Sequence, residues 1–263
     1  MQITDEIVRE ENRQVYAAEA RTYDVLHPEV WNWYEQKRYD RLVKDSLTIL
    51  DKKNPVIVDV GAGTGNLTLK YLSAGCRLIS VDISKQMLHE LERKLRNDQK
   101  DQVQLIWGDI ESALSKISEF DGICFSSVLH HIYDYKDVIK TSLKKLNSGG
   151  FFFNIHDPLI QEPKSRIVYR IHRLLGMVDE RLYRLNAKRK GYSIDLFPDD
   201  SIAEFHQTKG TFKYKELTEF LVQQGLSIEH FETYTSRRYG FFGWLATEII
   251  GSENSFALIG RKP

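Results

Sequence analysis

The chain of 263 residues has only two cysteines, Cys76 and Cys124, each set among apolar neighbours. Two thiols in such settings predict core packing in a reducing compartment rather than a disulfide, and they cannot furnish a metal cluster. Net charge is also lacking, since 37 Lys and Arg balance 37 Asp and Glu. No overall field therefore draws the protein to nucleic acid or membrane, and any such attraction must be local. Nowhere do eighteen apolar residues occur together, which excludes a spanning helix, and the charged stretch Met1 to Glu11 offers no export signal. The expectation is a soluble, cytoplasmic protein. Internal repeats and low-complexity stretches are absent. The length suits one substantial core with insertions that serve as a cap or lid.

What the sequence does have is Pro55-Val-Ile-Val-Asp-Val-Gly-Ala-Gly-Thr-Gly-Asn66. Val56, Ile57, Val58 and Val60 form the β-branched run of a strand buried on both faces of a parallel sheet. Three alternate glycines, Gly61, Gly63 and Gly65, follow and permit positive φ and close backbone approach before a helix opens at Asn66. Gly75 closes that helix. Strand, glycine loop and helix make the front half of a nucleotide-binding βαβ unit, although a glycine loop by itself is also compatible with a simple tight turn.

Spacing separates the nucleotide classes. A dinucleotide fold calls for G-x-G-x-x-G, whereas here Asn66 stands where a last glycine would be and an acid, Asp59, lies two residues before Gly61. The pattern D-x-G-x-G-x-G after a hydrophobic strand resembles the first motif of class I S-adenosylmethionine-dependent methyltransferases. The resemblance extends well over residues 56–157 and in outline over 213–261. It implies a Rossmann-like α/β fold, with a seven-stranded, mostly parallel sheet, an antiparallel edge hairpin and flanking helices. It also implies S-adenosylmethionine as cofactor, with S-adenosylhomocysteine as product and no metal.

The chain divides into an amino-terminal helical cap (1–54), a core (55–158), a helical lid insertion (159–212) and the part that completes the sheet (213–263). In the cap, a segment with Ala17, Ala18 and Ala20 precedes a longer aromatic-rich helix from Pro28 to Leu50. Between them Tyr23 resembles the family aromatic that lies over the cofactor, while Tyr16, Trp31, Trp33 and Tyr34 also read as helix-packing residues.

Strand two, Leu78 to Val81, ends in Asp82, seventeen positions after Gly65. A carboxylate at the carboxyl end of a strand sits at the ligand crevice and can accept both ribose hydroxyls. Ser84 is placed to cap a helix whose Met87, Leu88, Leu91 and Leu95 share a face. Strand three, Val103 to Trp107, runs into Gly108-Asp109-Ile110, which resembles the family motif that holds adenine through the carboxylate and the next backbone N–H. The resemblance thus implies cofactor contacts at Asp59, Gly61, Ala62, Gly63, Gly65, Asp82, Ile83, Met87, Gly108, Asp109 and Ile110, besides Tyr23.

Strand four, Phe120 to Phe125, leads to Ser126-Ser-Val-Leu-His-His131-Ile132, similar to the fourth motif of quinone, sterol and natural-product methyltransferases, with Ser126 at the cofactor. It departs from the Asp-Pro-Pro-Tyr type of nucleic-acid amino methyltransferases, so a base in DNA or RNA is not the expected acceptor. A helix from Asp137 to Leu146 is stopped by Asn147-Ser-Gly-Gly150, and strand five is Phe151 to Ile155.

From Leu159 to Gly191 nine Lys and Arg face three Asp and Glu, and Ile167, Val168, Ile171, Leu174, Leu175 and Val178 run through the same stretch. Such a basic amphipathic helix can lie on an anionic membrane or receive an anionic amphiphile, but a solvated helix packed on the core has the same pattern. The apolar link within 239–250, between strands six (226–234) and seven (255–261), offers a second place for lipid or subunit contact. The protein is expected as a monomer or homodimer.

A sulfonium methyl is already activated, so the protein has to align a small-molecule acceptor, exclude water and take up a proton. His131, His156 and His206 are the candidate bases, with His130 and Asp157 nearby in sequence. The expected acceptor atom is oxygen, nitrogen or carbon of a small or medium, amphipathic or anionic molecule. A non-catalytic S-adenosylmethionine-binding regulator and a nicotinamide oxidoreductase are the alternatives; the glycine spacing and Gly108-Asp109 disfavour the second. Metalloid methylation is excluded by the placement of the two cysteines.

Overall fold

A computed structural model describes residues 3–159, 165–192, 203 and 212–263. Seven strands form one sheet in the order β3-β2-β1-β4-β5-β7-β6. They are β1 (Val56–Val60), β2 (Arg77–Asp82), β3 (Val103–Trp107), β4 (Phe120–Ser126), β5 (Leu146–Pro158), β6 (Ser227–Tyr234) and β7 (Ser255–Arg261). Strands β1 to β5 pair in parallel, and β7 enters antiparallel between β5 and β6. Parallel pairing needs a crossover after each strand, which α5 (Asn66–Ser73), α6 (Lys85–Lys94), α7 (Ile110–Lys116) and α8 (Tyr135–Lys145) supply or help to supply.

Alternation along the strands divides the core into two layers. Val58, Phe125 and Phe152 meet Ala113 and Leu114 of α7, Val138 and Ile139 of α8, and Leu217 and Leu221 of a later helix, α10 (Tyr214–Gln223). Ile57, Cys124 and Phe153 face the other way, onto Leu67 and Tyr71 of α5, Leu88 and Leu91 of α6, and Tyr39 and Leu42 of α4 (Trp33–Thr48). Both cysteines are buried free thiols.

The amino-terminal segment forms α1 (Asp5–Glu19), α2 (Tyr23–Leu26), α3 (Pro28–Trp31) and α4. The single helix expected over 28–50 is thus two, because Asn32 takes extended backbone and its side chain accepts hydrogen bonds from the N–H groups of Tyr34 and Glu35. Strand five also differs. Asn147 to Gly150, read as a helix stop, belong instead to β5 as an irregular stretch after Leu146, with Gly149 at φ +77° and a register shift between Phe120 and Gly122 on the partner β4. The basic stretch forms α9 (Arg166–Arg189), a helix of 24 residues. The apolar link becomes a short helix, α11 (Gly240–Trp244), that runs into a π-turn over Leu245–Ile249.

Candidate functional site

The site forms where β1, β2, β3 and β4 end. There the glycine loop turns under Val128, and Gly61 at φ +64° would bring a Cβ within 2.0 Å of the Val128 Cγ2. Gly65 has φ +97°, and a Cβ there would meet Leu91 at 2.3 Å. Only glycine fits either place. The loop is pinned from outside by Asp24 of α2, which accepts from the Thr64 hydroxyl at 2.5 Å and from Lys94 at 2.5 Å.

Asp82 closes β2 beneath this loop. Its carboxylate accepts the N–H of Gly63 at 2.8 Å and the N–H of Ser84 at 2.8 Å, so strand end, glycine loop and helix start share one anion. Burial pushes its pKa up to about 6, against the pull of those two N–H groups. Such a carboxylate retains lone pairs for two hydroxyl donors, and among the described residues no salt-bridge partner neutralises it. Trp107 donates its indole N–H to the carbonyl of Ile83 at 3.0 Å and fixes the neighbouring turn.

A cavity opens beside these groups, lined by Tyr23, Gly61, Gly63, Asp82, Ile83, Met87, Gly108, Asp109, Ile110 and Ser126. All ten are residues that the sequence pattern assigns to the cofactor. Asp59, Ala62 and Gly65 are not among its lining. The side chain of Asp59 points into the α5 layer, where it accepts the Thr68 hydroxyl at 2.6 Å and the Cys124 thiol at 3.6 Å. Burial raises its pKa to about 6, and its role in these contacts is to tie β1 to α5 and β4. Ala62 acts through its backbone, donating to the Val81 carbonyl at 3.0 Å, and Gly65 through its conformation. Asp109 borders the cavity but caps α7, accepting from the N–H of Ser112 at 2.8 Å and its hydroxyl at 2.9 Å. Although burial opposes it, those bonds and the Arg9 cation hold its carboxyl below the ordinary value.

Sequence reasoning missed the roof. Helix α1 lays Asp5, Arg9, Asn12 and Tyr16 along the cavity. Arg9 reaches Asp109 at 3.3 Å and Glu111 at 2.7 Å, while Asn12 donates to the His131 carbonyl at 3.5 Å. The Asn12 Oδ1 is buried without a partner, an orphaned acceptor beside the cavity. No local pattern in α1 signals contacts across more than a hundred residues.

The candidate bases part company in the structure. His131 lines the cavity. Its Nδ1 lies 2.6 Å from the carbonyl oxygen of Ala203 and must donate to it, so Nε2 is the acceptor for the Tyr16 hydroxyl at 2.9 Å. His130 turns away from the cavity, and its Nδ1 meets Asp157 at 2.5 Å. His156 also lies outside the lining, against its expected place in the crevice. A bulge between Ile155 and Asp157, with His156 at φ +70°, swings its ring to Ser236 at 3.1 Å and Tyr234 at 3.5 Å. Burial lowers its pKa to about 4, so it is neutral near pH 7. His206 lies outside the described residues.

Residues 58–154, which contain the glycine loop, Asp82, Asp109 and His131, match the methyltransferase domain family. Together with the sheet topology, that match supports a class I S-adenosylmethionine-dependent methyltransferase. The cofactor of these methyltransferases is S-adenosylmethionine, and the cavity fits it: buried Asp82 for hydroxyl donors, apolar Ile83, Met87 and Ile110, and a backbone cradle that no Cβ could share. Over 82 residues the chain is 34% identical to a ribosomal RNA small subunit methyltransferase of Arabidopsis thaliana, across 31% of this chain and 22% of that protein. Over 131 residues it is 27% identical to the demethylmenaquinone methyltransferase of Renibacterium salmoninarum, across 50% of this chain and 52% of that one. The chain thus spans about half or less of the length of these curated relatives. The crystal structure of magnesium protoporphyrin IX methyltransferase from Synechocystis with bound S-adenosylmethionine superposes with a TM-score of 0.58 at 13% identity, covering 96% of this chain and 97% of that one. That likeness is one of fold.

Proposed function

We propose that the protein is an enzyme that transfers the methyl group of S-adenosylmethionine to oxygen, nitrogen or carbon of a small or medium amphipathic molecule. The observation that carries this reading is the continuity of the cavity. Its glycine-loop end runs without a break to Ser127, Val128, His131, Ile132 and Tyr133, beneath the same helix α1. A second molecule at that end would lie beside the cofactor and out of water, as in-line transfer requires.

S-adenosylmethionine brings an already activated methyl, so the protein's own groups must bind, orient and manage one proton. Tyr16 and His131 suit the last task. An acceptor proton passed to the Tyr16 oxygen, with the Tyr16 proton moving to His131 Nε2, leaves an imidazolium whose Nδ1–H stays on the Ala203 carbonyl. A carbon or tertiary-amine acceptor would need no such relay at the moment of transfer.

Charge narrows the acceptor. Among the described residues that line the cavity, Arg9 stands alone as a permanent cation against Asp5, Asp82, Asp109 and Glu111. That surplus favours a sulfonium and gives no anchor to an anionic acceptor, so the acceptor proposed is neutral or cationic. It also repels a phosphate backbone, which argues against nucleic acid. The test is incubation with methyl-labelled S-adenosylmethionine and small-molecule extracts separated by charge. Label in the neutral or cationic fractions supports the reading. Label confined to RNA would overturn the acceptor class, and no labelled product from any pool would favour a cofactor-binding regulator.

A further inference from the structure

We propose that α9 and the α11 turn together form a face that docks on an anionic lipid bilayer. Helix α9 is about 36 Å long at 1.5 Å per residue, yet it buries only Asp179, Tyr183 and Ala187. That inner side is fixed to the body of the protein. Asp179 accepts the N–H groups of Arg238 and Tyr239 at 3.0 Å each, Tyr183 donates to the Leu26 carbonyl at 2.9 Å, and Arg237 meets His172 at 2.8 Å.

On the opposite side Ile167, Ile171, Leu174, Val178, Leu182 and Leu185 follow one another at steps of three and four. Six such residues in a single row form an apolar stripe turned away from the fold. They remain 38–71% exposed. The stripe does not stop at the end of the helix: Leu182 and Leu185 share a shallow groove with Phe241 and Phe242 of α11. Beyond them Phe241, Trp244 and Ile249 are exposed as well. An apolar surface this long is unusual on a protein surface and marks a contact.

The charge along its flank chooses the partner. At about 3.6 residues per turn, Arg166, Arg170, Arg173, Arg181, Arg184 and Lys188 fall on one side of the stripe. The helix carries seven Lys and Arg in all, against Asp179, which is buried, and Glu180. In a protein of zero net charge this is a local basic band, and it complements anionic headgroups while the stripe enters the acyl boundary. Among the described residues no helix is long and apolar enough to cross a membrane, so the arrangement is that of a helix lying in the interface plane.

The test is flotation of the purified full chain with phosphatidylcholine vesicles and with vesicles containing about a third phosphatidylglycerol. Wild-type protein is expected to bind the anionic vesicles at least tenfold more tightly than the neutral ones, and less tightly in 0.5 M salt. Leu174→Glu with Leu182→Glu, and separately Arg170→Gln with Arg181→Gln, are expected to weaken binding tenfold or more at unchanged melting temperature and S-adenosylmethionine affinity. Equal binding to both vesicle types would overturn the proposal. So would indifference to both pairs of substitutions, or a concentration-dependent dimer in sedimentation that the Glu variants abolish.

Discussion

Tyr16 donates its hydroxyl to Nε2 of His131 at 2.9 Å, across 115 residues of sequence. The bond joins the roof of the cavity to the loop after β4, and the two rings meet edge to face with centroids 5.5 Å apart. Because the Ala203 carbonyl can only accept, His131 is held as the tautomer protonated on Nδ1. Nitrogen NMR of the labelled protein is expected to show Nε2 as the acceptor nitrogen at neutral pH, and Tyr16→Phe to shift that resonance. A proton resting on Nε2 would contradict the assignment. Once an acceptor is in hand, His131→Ala is expected to lower turnover by about 10²–10⁴-fold with cofactor affinity unchanged.

Gly61→Ala tests the glycine cradle. The added methyl would stand 2.0 Å from Val128 in a left-handed backbone, so both the melting temperature and cofactor affinity are expected to fall, the latter at least about tenfold. Gly75 shares a positive φ, but a Cβ there meets nothing within 4 Å. Gly75→Ala should therefore cost only backbone strain, roughly 1 kcal/mol, and leave binding intact. Calorimetric melting and titration of both variants make the comparison.

Behind the cavity Glu35 is fully buried and bonded to Arg38 at 2.6 Å. Burial pushes the Glu35 pKa up to about 7, against the pull of Arg38. Arg38 is itself sandwiched over Tyr234 at 3.6 Å and Tyr34 at 4.8 Å. Arg38→Met strands the carboxyl and is expected to destabilise the fold by about 3–5 kcal/mol in urea unfolding, with part of the loss recovered by adding Glu35→Gln. A variant as stable as wild type would show that the pair is dispensable.

His27 bridges Glu19 at 3.1 Å and Glu29 at 3.0 Å. Burial opposes its charge, but those two carboxylates hold its pKa up to about 9. A raised folded-state value stabilises fully below the unfolded value of about 6.5 and is lost as pH rises through about 9. The side chain is partly exposed, and after solvent screening the contribution is about 1–2 kcal/mol. Thermal melting followed from pH 6.5 to 9.5 is expected to decline over that window, and His27→Gln to flatten the decline.

The sheet was legible because β1 and β4 are mainly apolar and run into glycine or small residues. Asp82 was legible for the same reason, being the last residue of a strand whose neighbours fix where it ends. Asp59 shows the limit: an acid inside a strand faces one layer or the other by alternation, and register with Cys124 puts it toward α5 rather than the cavity. His156 shows another, since a one-residue bulge reverses the side that its ring takes. Arg9 and Asn12 left no mark in the sequence and Tyr16 read only as a helix-packing residue, because a helix placed by contacts more than a hundred residues away has no local signature beyond its own periodicity.

The most direct measurement is calorimetric titration of S-adenosylmethionine and, separately, NADH into wild type and Asp82→Ala. At pH 7.5 S-adenosylmethionine alone is expected to bind, in the micromolar range, and the loss of the carboxylate to weaken it by about 2–3 kcal/mol. Because burial sets the Asp82 pKa to about 6, the wild-type affinity should also fall as pH drops through that value and the carboxyl takes up its proton. Binding of NADH, or an Asp82→Ala variant with undiminished affinity for S-adenosylmethionine, would contradict the assignment of the site.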